Sequence, residues 1–287
     1  MNKKIFWIAS YPKSGNTWMR AILTSLFFTK DGIFFFDLFN STSIFEHAER
    51  FEFVKELNFK DYNKLSELEV LSKYWIEGQK KTVIKGDFAF FKTHHACINY
   101  GSNNFASTNN TLGAIYMIRD PRDVVVSYSQ HIGKKIDETI YLMKKIGAST
   151  LYKTGSNTKN KKYFSYISSW DDNIKSWENV PFPKMIIKFE DLLDNPKQII
   201  IDIIDFFKKN YNVNFSNIDK KIKNIVDTTN FEKLRNFENE NGFLEATKHS
   251  KFFREGKKKQ WQKILTPEQT KEIEKYFNDI MKKYNYL

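Results

Sequence analysis

An α/β domain is the architecture this chain points to, on three grounds. The apolar run Ile5-Phe6-Trp7-Ile8-Ala9 reads as a buried strand, and residues 18–27 after it read as an amphipathic helix. Further along, apolar strand-like runs keep alternating with helical patterns. The 287 residues are 41% apolar, with 27 Phe and 14 Tyr, which is ample material for a core. No internal repeat and no composition break divides the chain, so one domain over 1–287 is expected.

The first strand and helix are joined by Tyr11-Pro12-Lys13-Ser14-Gly15-Asn16-Thr17-Trp18. A strand, a tight loop with lysine, glycine and hydroxyls, then a helix start suits an anionic phosphate. Free N–H groups and the positive end of the helix dipole face the ligand. Lys13 adds a full charge, Ser14 and Thr17 add donors, and Gly15 lets the backbone approach closely. The order differs from the nucleotide-triphosphate loop G-x-x-x-x-G-K-[ST], because the lysine here precedes the Ser-Gly pair.

Residues 29–80 are aromatic and mixed in charge, with helical patches near 45–58 and 64–78. Short strands are expected at 82–85 and 88–92, a Ser/Asn-rich loop over 101–111, and a buried strand over 112–118. Asp120-Pro121-Arg122-Asp123 then carries helix-start chemistry: Asp as N-cap, Pro first, an acid in the first turn. The β-branched Val124-Val125-Val126 pull the other way, and the capping signal is preferred. Residues 132–165 read as a lysine-rich cover segment with a helix near 137–146, followed by a helix from about 163 to 177. A strand is expected over 184–189. Asn195-Pro196 opens a helix with the apolar stripe Ile200, Ile203, Ile204 and Phe207. The last helix starts at the capping box Thr266-Pro267-Glu268-Gln269, with Ile273, Tyr276, Phe277, Ile280 and Tyr284 facing the core.

The 46 Lys and Arg against 34 Asp and Glu give a net charge of +12, which suits anionic ligands without separating a small phosphate from nucleic acid or lipid. The lone Cys97 excludes an intrachain disulfide and reads as a buried apolar residue. No apolar run approaches the ~18 residues needed to span a bilayer, and no signal-peptide layout precedes the first strand, so a cytoplasmic protein is expected. No Cys/His cluster or carboxylate ladder suggests a metal.

Three segments carry further chemistry. Arg119 stands at the end of the strongest strand, and Ser127 follows eight residues later, so both can converge on one dianion. Phe91-Lys92-Thr93-His94-His95 places an imidazole, which titrates near neutrality, at another strand end. Neighbouring strand residues face opposite ways, so only one of the two histidines can point at a ligand. Phe252-Phe253-Arg254-Glu255-Gly256-Lys257-Lys258-Lys259-Gln260-Trp261 is a basic segment ahead of the last helix.

Taken in order, these segments closely resemble the motifs of the PAPS-dependent sulfotransferases of the cytosolic type, where PAPS is 3′-phosphoadenosine-5′-phosphosulfate. The resemblance spans residues 5 to 261 and implies a central, mostly parallel sheet flanked by helices, with PAPS as cosubstrate and PAP, its desulfated product, at the strands' carboxyl ends. It puts Lys13, Ser14, Gly15, Asn16 and Thr17 on the 5′-phosphosulfate, and Arg119, Ser127, Arg254 and Gly256 on the 3′-phosphate. Trp18, Phe189, Thr229 and Phe231 fall to the adenine, and His94 to the role of general base, with a Glu or Asp near the loop as the fallback and with Lys92 and Lys13 stabilising developing charge. Two departures stand out. Phe189 lacks the hydroxyl of the family's tyrosine, and in the C-terminal motif R-K-G-x-x-G-x-W-K, Glu255, Lys259 and Gln262 replace Lys, Gly and Lys.

The reaction implied is sulfuryl transfer to a small-molecule or glycan hydroxyl, ahead of an amine. A kinase or other NTP-dependent transferase on a related fold is the alternative. A nucleic-acid-binding module ranks last, since net charge alone supports it, and no nucleic-acid partner is expected. Residues 29–80 suit an apolar acceptor and the lysines of 132–162 an acidic glycan, and the motifs do not choose between them.

Overall fold

A computed structural model describes residues 4–51, 53, 68–80, 88–154, 161–243 and 245–287. In chain order the strands and helices are β1 (Ile5–Ser10), α1 (Asn16–Phe28), β2 (Ser43–Ile44), α2 (Leu68–Ser72), α3 (Trp75–Lys80) and β3 (Ala89–Thr93). A small hairpin, β4 (Asn99–Tyr100) and β5 (Asn103–Asn104), leads into β6 (Thr111–Ile118), α4 (Pro121–Ile132) and α5 (Ile136–Lys144). A second hairpin, β7 (Ser149–Thr154) and β8 (Lys161–Tyr166), precedes α6 (Trp170–Glu178), β9 (Lys184–Lys188) and α7 (Phe189–Asp194). The rest is helical: α8 (Pro196–Tyr211), α9 (Ile218–Thr228), α10 (Phe231–Asn241), α11 (Pro267–Tyr276) and α12 (Asn278–Lys283).

The central sheet runs β2-β3-β1-β6-β9, and all four pairings are parallel. The middle strand β1 is buried along its whole length, which explains its unbroken apolar sequence. Its side chains alternate between two cores. Trp7 and Ala9 join Phe91, Tyr116 and Trp177 on one face. Phe6 and Ile8 join Phe90, Met117, Ile203 and Phe207 on the other. After β1 the chain builds β3 on one side and then crosses to β6 on the opposite side. That reversal opens a crevice beyond the strands' carboxyl ends, the usual ligand position in an open α/β sheet.

The capping readings hold. The Asp120 side chain accepts the Arg122 N–H at 2.9 Å, and Thr266 and Gln269 form the reciprocal capping box. The α8 stripe Ile200, Ile203, Ile204 and Phe207 is buried. Other readings need correction. The helix expected from 163 begins only at Trp170, where Ser169 caps it by accepting the Asp172 N–H; residues 161–166 instead pair antiparallel with β7. Within the described residues the patch near 64–78 shows α2 and α3 and the one near 45–58 a 3-10 turn at Ala48–Phe51; residues 52, 54–58 and 64–67 lie outside them. Tyr276 is exposed, with its hydroxyl donating to the Lys144 carbonyl at 2.9 Å, while Ile273 and Phe277 enter the core; the last helix breaks at Phe277. The strand expected at 82–85 lies outside the described residues. Among the described residues, no helix is long and apolar enough to cross a membrane.

Candidate active site

The loop after β1 is shaped for close approach. Lys13 has φ +66° and Gly15 φ +102°, both left-handed, so the chain curls before α1 begins. A Cβ on Gly15 would meet the Phe189 ring at 2.9 Å and the Met117 methyl at 3.3 Å. Gly15 caps α1 without a side-chain hydrogen bond, and no acid lies in the first turn. The first N–H groups of α1 therefore keep their anion-binding character. The Ser14 hydroxyl is buried with no partner among the described residues. The Asn16 amide is spent on structure: its Nδ2 donates to the Ile8 carbonyl at 2.9 Å and the Ser10 hydroxyl at 3.3 Å.

Arg119, at the end of β6, links this loop to the C-terminal segment. Its guanidinium donates to the Lys13 carbonyl at 3.2 Å and the Lys257 carbonyl at 2.9 Å, and lies 4.4 Å from the centre of the Phe189 ring. Its Nε is buried and has no partner among the described residues. Asp123 accepts the Lys259 N–H at 2.7 Å and the Trp261 N–H at 3.1 Å, fixing the same segment to α4. Gly256, at φ +63°, lies against the Phe231 ring so closely that a Cβ would stand 2.3 Å from it. Arg122 belongs to the framework: it pairs with Asp120 and Glu274 and lies 4.1 Å over the Trp261 ring.

His94 follows β3. Its Nδ1 lies 2.8 Å from the Ser10 carbonyl, an acceptor only, so Nδ1 carries the proton and Nε2 the lone pair. Burial, with the Lys92 charge beside it, holds the imidazole well below its ordinary 6.5, so it is neutral at physiological pH. His95 takes the opposite side: it is fully buried and stacks on Phe105 at 4.3 Å between ring centres. Lys92 lies 3.8 Å from Glu245, which also pairs with Arg20. Burial draws the Lys13 ammonium down to about 7, and its Nζ sits 3.8 Å over the Phe252 ring.

These groups meet in one cleft of about 1200 Å³ counted out to solvent. The five sheet strands each deliver a residue to it: Lys13 after β1, Glu46 after β2, Lys92 and His94 at the end of β3, Arg119 after β6 and Phe189 after β9. Gly15, Asn16, Thr17, Trp18, Ser127, Phe231, Arg254 and Gly256 line it too. Two expected residues do not. Ser14 is buried outside the cleft lining, and the Thr229 hydroxyl donates to the Ile225 carbonyl at 2.8 Å. Glu255 remains at the cleft, paired with Arg254 at 3.3 Å and Lys257 at 3.8 Å. The motifs missed Glu46, His131, Ser165 and Glu245. Each sits in a stretch without a local signature and reaches the cleft only through the fold. The Cys97 thiol is pushed up to about 12 by burial, unsuited to a nucleophile.

A family model described as "Sulfotransferase domain" matches residues 3–285. Among curated proteins, the chain is 22% identical over 286 residues to the amine sulfotransferase of Oryctolagus cuniculus, covering 96% of this chain and 80% of that protein. It is 23% identical over 278 residues to the flavonol 3-sulfotransferase of Flaveria bidentis, covering 95% and 80%. Among solved structures, retinol dehydratase in a complex with retinol and PAP is similar, with a TM-score of 0.64 at 20% identity, covering 98% of this chain and 82% of that one.

Proposed function

The chain belongs to the sulfotransferase domain family, and on that premise we propose that it moves a sulfuryl group from PAPS to the hydroxyl of a small-molecule or glycan acceptor. An amine is the second-ranked nucleophile, and the whole of 1–287 acts as one catalytic domain. One observation carries the reading: a single cleft holds an uncapped helix N-terminus, Lys13 and Arg119 together with Lys92 and His94. A 3′,5′-bisphosphorylated adenosine fits the residues present. The buried, partnerless Arg119 Nε gains an acceptor from its phosphates, while Trp18, Phe189 and Phe231 line the space for its base.

The chemistry needs one base and several cations. As the acceptor oxygen attacks sulfur, its proton passes to His94 Nε2. A new O–S bond forms, the S–O bond to the 5′-phosphate breaks, and the electron pair leaves with PAP. The Ser10 carbonyl, hydrogen-bonded to Nδ1–H, holds the imidazole in the base-competent tautomer and stabilises the imidazolium. Lys13, Lys92 and the α1 amides neutralise charge on the sulfuryl and bridging oxygens.

Calorimetry with PAP and with ATP–magnesium, followed by PAPS turnover on pooled alcohols, phenols, lipids and glycans, tests this reading. PAP is expected to bind and ATP–magnesium not to compete. His94→Ala should keep PAP affinity and lose roughly 10²–10⁴-fold in turnover. Preference for ATP–magnesium would move the chain to the kinases, and near-normal turnover in the variant would move the base elsewhere.

A further inference from the structure

Beside His94 the cleft wall carries a carboxylate that the proposed cofactor chemistry does not use. Glu46 follows the edge strand β2 and is only 3% exposed. Its Oε1 performs a holding role: it accepts the His94 backbone N–H at 2.7 Å, the Thr93 hydroxyl, and the Ser165 hydroxyl at 3.5 Å. Its Oε2 is buried with no hydrogen-bond partner among the described residues. An enclosed carboxylate oxygen without a donor is costly, and a side chain needed only to hold the His94 backbone could do so as an amide. Arg50 is near enough to feel the Glu46 charge, yet among the described residues no hydrogen bond reaches Oε2. The other cleft carboxylate close to His94, Glu245, is already matched by Arg20 and Lys92. Glu46 therefore leaves one anionic acceptor beside the base.

We propose that Glu46 Oε2 receives an ammonium group of the acceptor, so that the substrate class is a hydroxylated amine whose hydroxyl faces His94. The inference rests on the sulfotransferase reading and narrows it. A charged donor on a carboxylate oxygen makes a shorter and stronger hydrogen bond than a neutral one. Arg50 offsets part of the Glu46 charge from a distance, and an ammonium supplies the charged donor that Oε2 lacks. Glu46 is then a specificity-determining residue, and the bond-making step remains that of His94.

The test uses the full chain and three matched pairs: 3-aminopropan-1-ol with propan-1-ol, glucosamine with glucose, and tyramine with 4-ethylphenol. Two readouts are taken, kcat/KM with PAPS and calorimetric affinity for the enzyme–PAP complex. At least one amine should exceed its neutral partner by about tenfold in both readouts. Glu46→Gln should erase that ratio, lowering kcat/KM and affinity for the amine about tenfold more than for its neutral partner, with PAP affinity within about twofold. Glu46→Asp, which keeps the charge, should retain part of the preference and serves where the amide variant does not fold. Three results overturn the proposal: no amine preference in any pair, a preference that survives Glu46→Gln, or equal losses for amine and neutral partners, which would confine Glu46 to holding the His94 segment. Failure of the unsubstituted chain to bind PAP would instead sink the sulfotransferase reading itself.

Discussion

Replacing Glu245 by glutamine should weaken the fold and tighten the cofactor site at once. Burial pushes this carboxyl up, but Arg20 and Lys92 overcome it and hold it at about 2, against an ordinary 4.5. That difference corresponds to about 3 kcal/mol in favour of the charged form. The folded pKa is the lower one, so the stabilisation is present above pH 4.5 and is lost as the pH falls through 2. At pH 7 the variant should lose about 3 kcal/mol, or about 5 °C in Tm for a chain of this length, and the deficit should shrink on acidification. The cofactor should respond in the opposite sense. Lys92 lies 3.8 Å from this carboxylate, a Coulomb attraction of about 4 kcal/mol at an effective dielectric constant near 20. Freed of it, Lys92 can turn to an incoming anion, although water recovers part of the gain. A tenfold tighter PAP complex, about 1.4 kcal/mol, is expected. Melting curves and PAP calorimetry in one buffer measure both. An unchanged Tm, or PAP binding no tighter than in the parent, refutes the reasoning.

Arg119→Lys should raise the PAP Kd by roughly 30-fold or more, because an ammonium cannot replace two charge-assisted hydrogen bonds worth about 1.5–3 kcal/mol each. A change below about threefold in calorimetry would remove Arg119 from the cofactor site. Acid should destabilise the fold well before its carboxylates titrate. Burial lowers His94, takes His95 to about 3, and with Lys13 nearby takes His131 to about 2, so the unfolded chain binds more protons below pH 6.5. Each histidine then contributes a loss of about 1.4 kcal/mol per pH unit, and a urea midpoint that is flat from pH 7 to 5 would contradict this. Glu255→Lys removes an acid at the cleft rim and should tighten PAP about fivefold at low salt, less at high salt, since the site is partly exposed and screened. Equal affinities at low salt would place that carboxylate out of range of the phosphates.

Local chemistry explains which parts of the molecule were legible in the sequence. The first strand, loop and helix, the Asp120 cap and the Thr266 capping box each complete their signal within a few residues, and each forms as expected. The hairpin β7–β8 is local, but its lysines and tyrosines carry no clear alternation, so the sequence does not announce its second strand over 161–166. The cleft divides in the same way. Lys13, Lys92, His94 and Arg119 sit at strand ends, where motif and geometry coincide. Glu46 and Glu245 act across 48 and 225 residues of chain, on His94 and Arg20 respectively, and no local pattern announces either. Asn16 shows the converse: a residue within the phosphate-loop motif whose amide hydrogens serve to tie β1 to α1.

The departures in the last motif follow from how its loop is held. The tethers from the body of the domain fall on backbone atoms: Arg119 on the Lys257 carbonyl, Asp123 on the Lys259 and Trp261 N–H groups. Side chains at 255 and 257–259 can change without losing those bonds. Backbone conformation is less free. Gly256 keeps its left-handed φ and its contact with Phe231, which no other residue could satisfy without displacing that ring. Lys259, standing where the resembling motif has its second glycine, adopts φ +60°. For a non-glycine residue that conformation costs about 1–2 kcal/mol, and the two Asp123 hydrogen bonds on either side of Gln260 hold it there. Lys259 thus holds a conformation that suits glycine, and the geometry that closes this loop over Arg119 is built from bonds to the main chain.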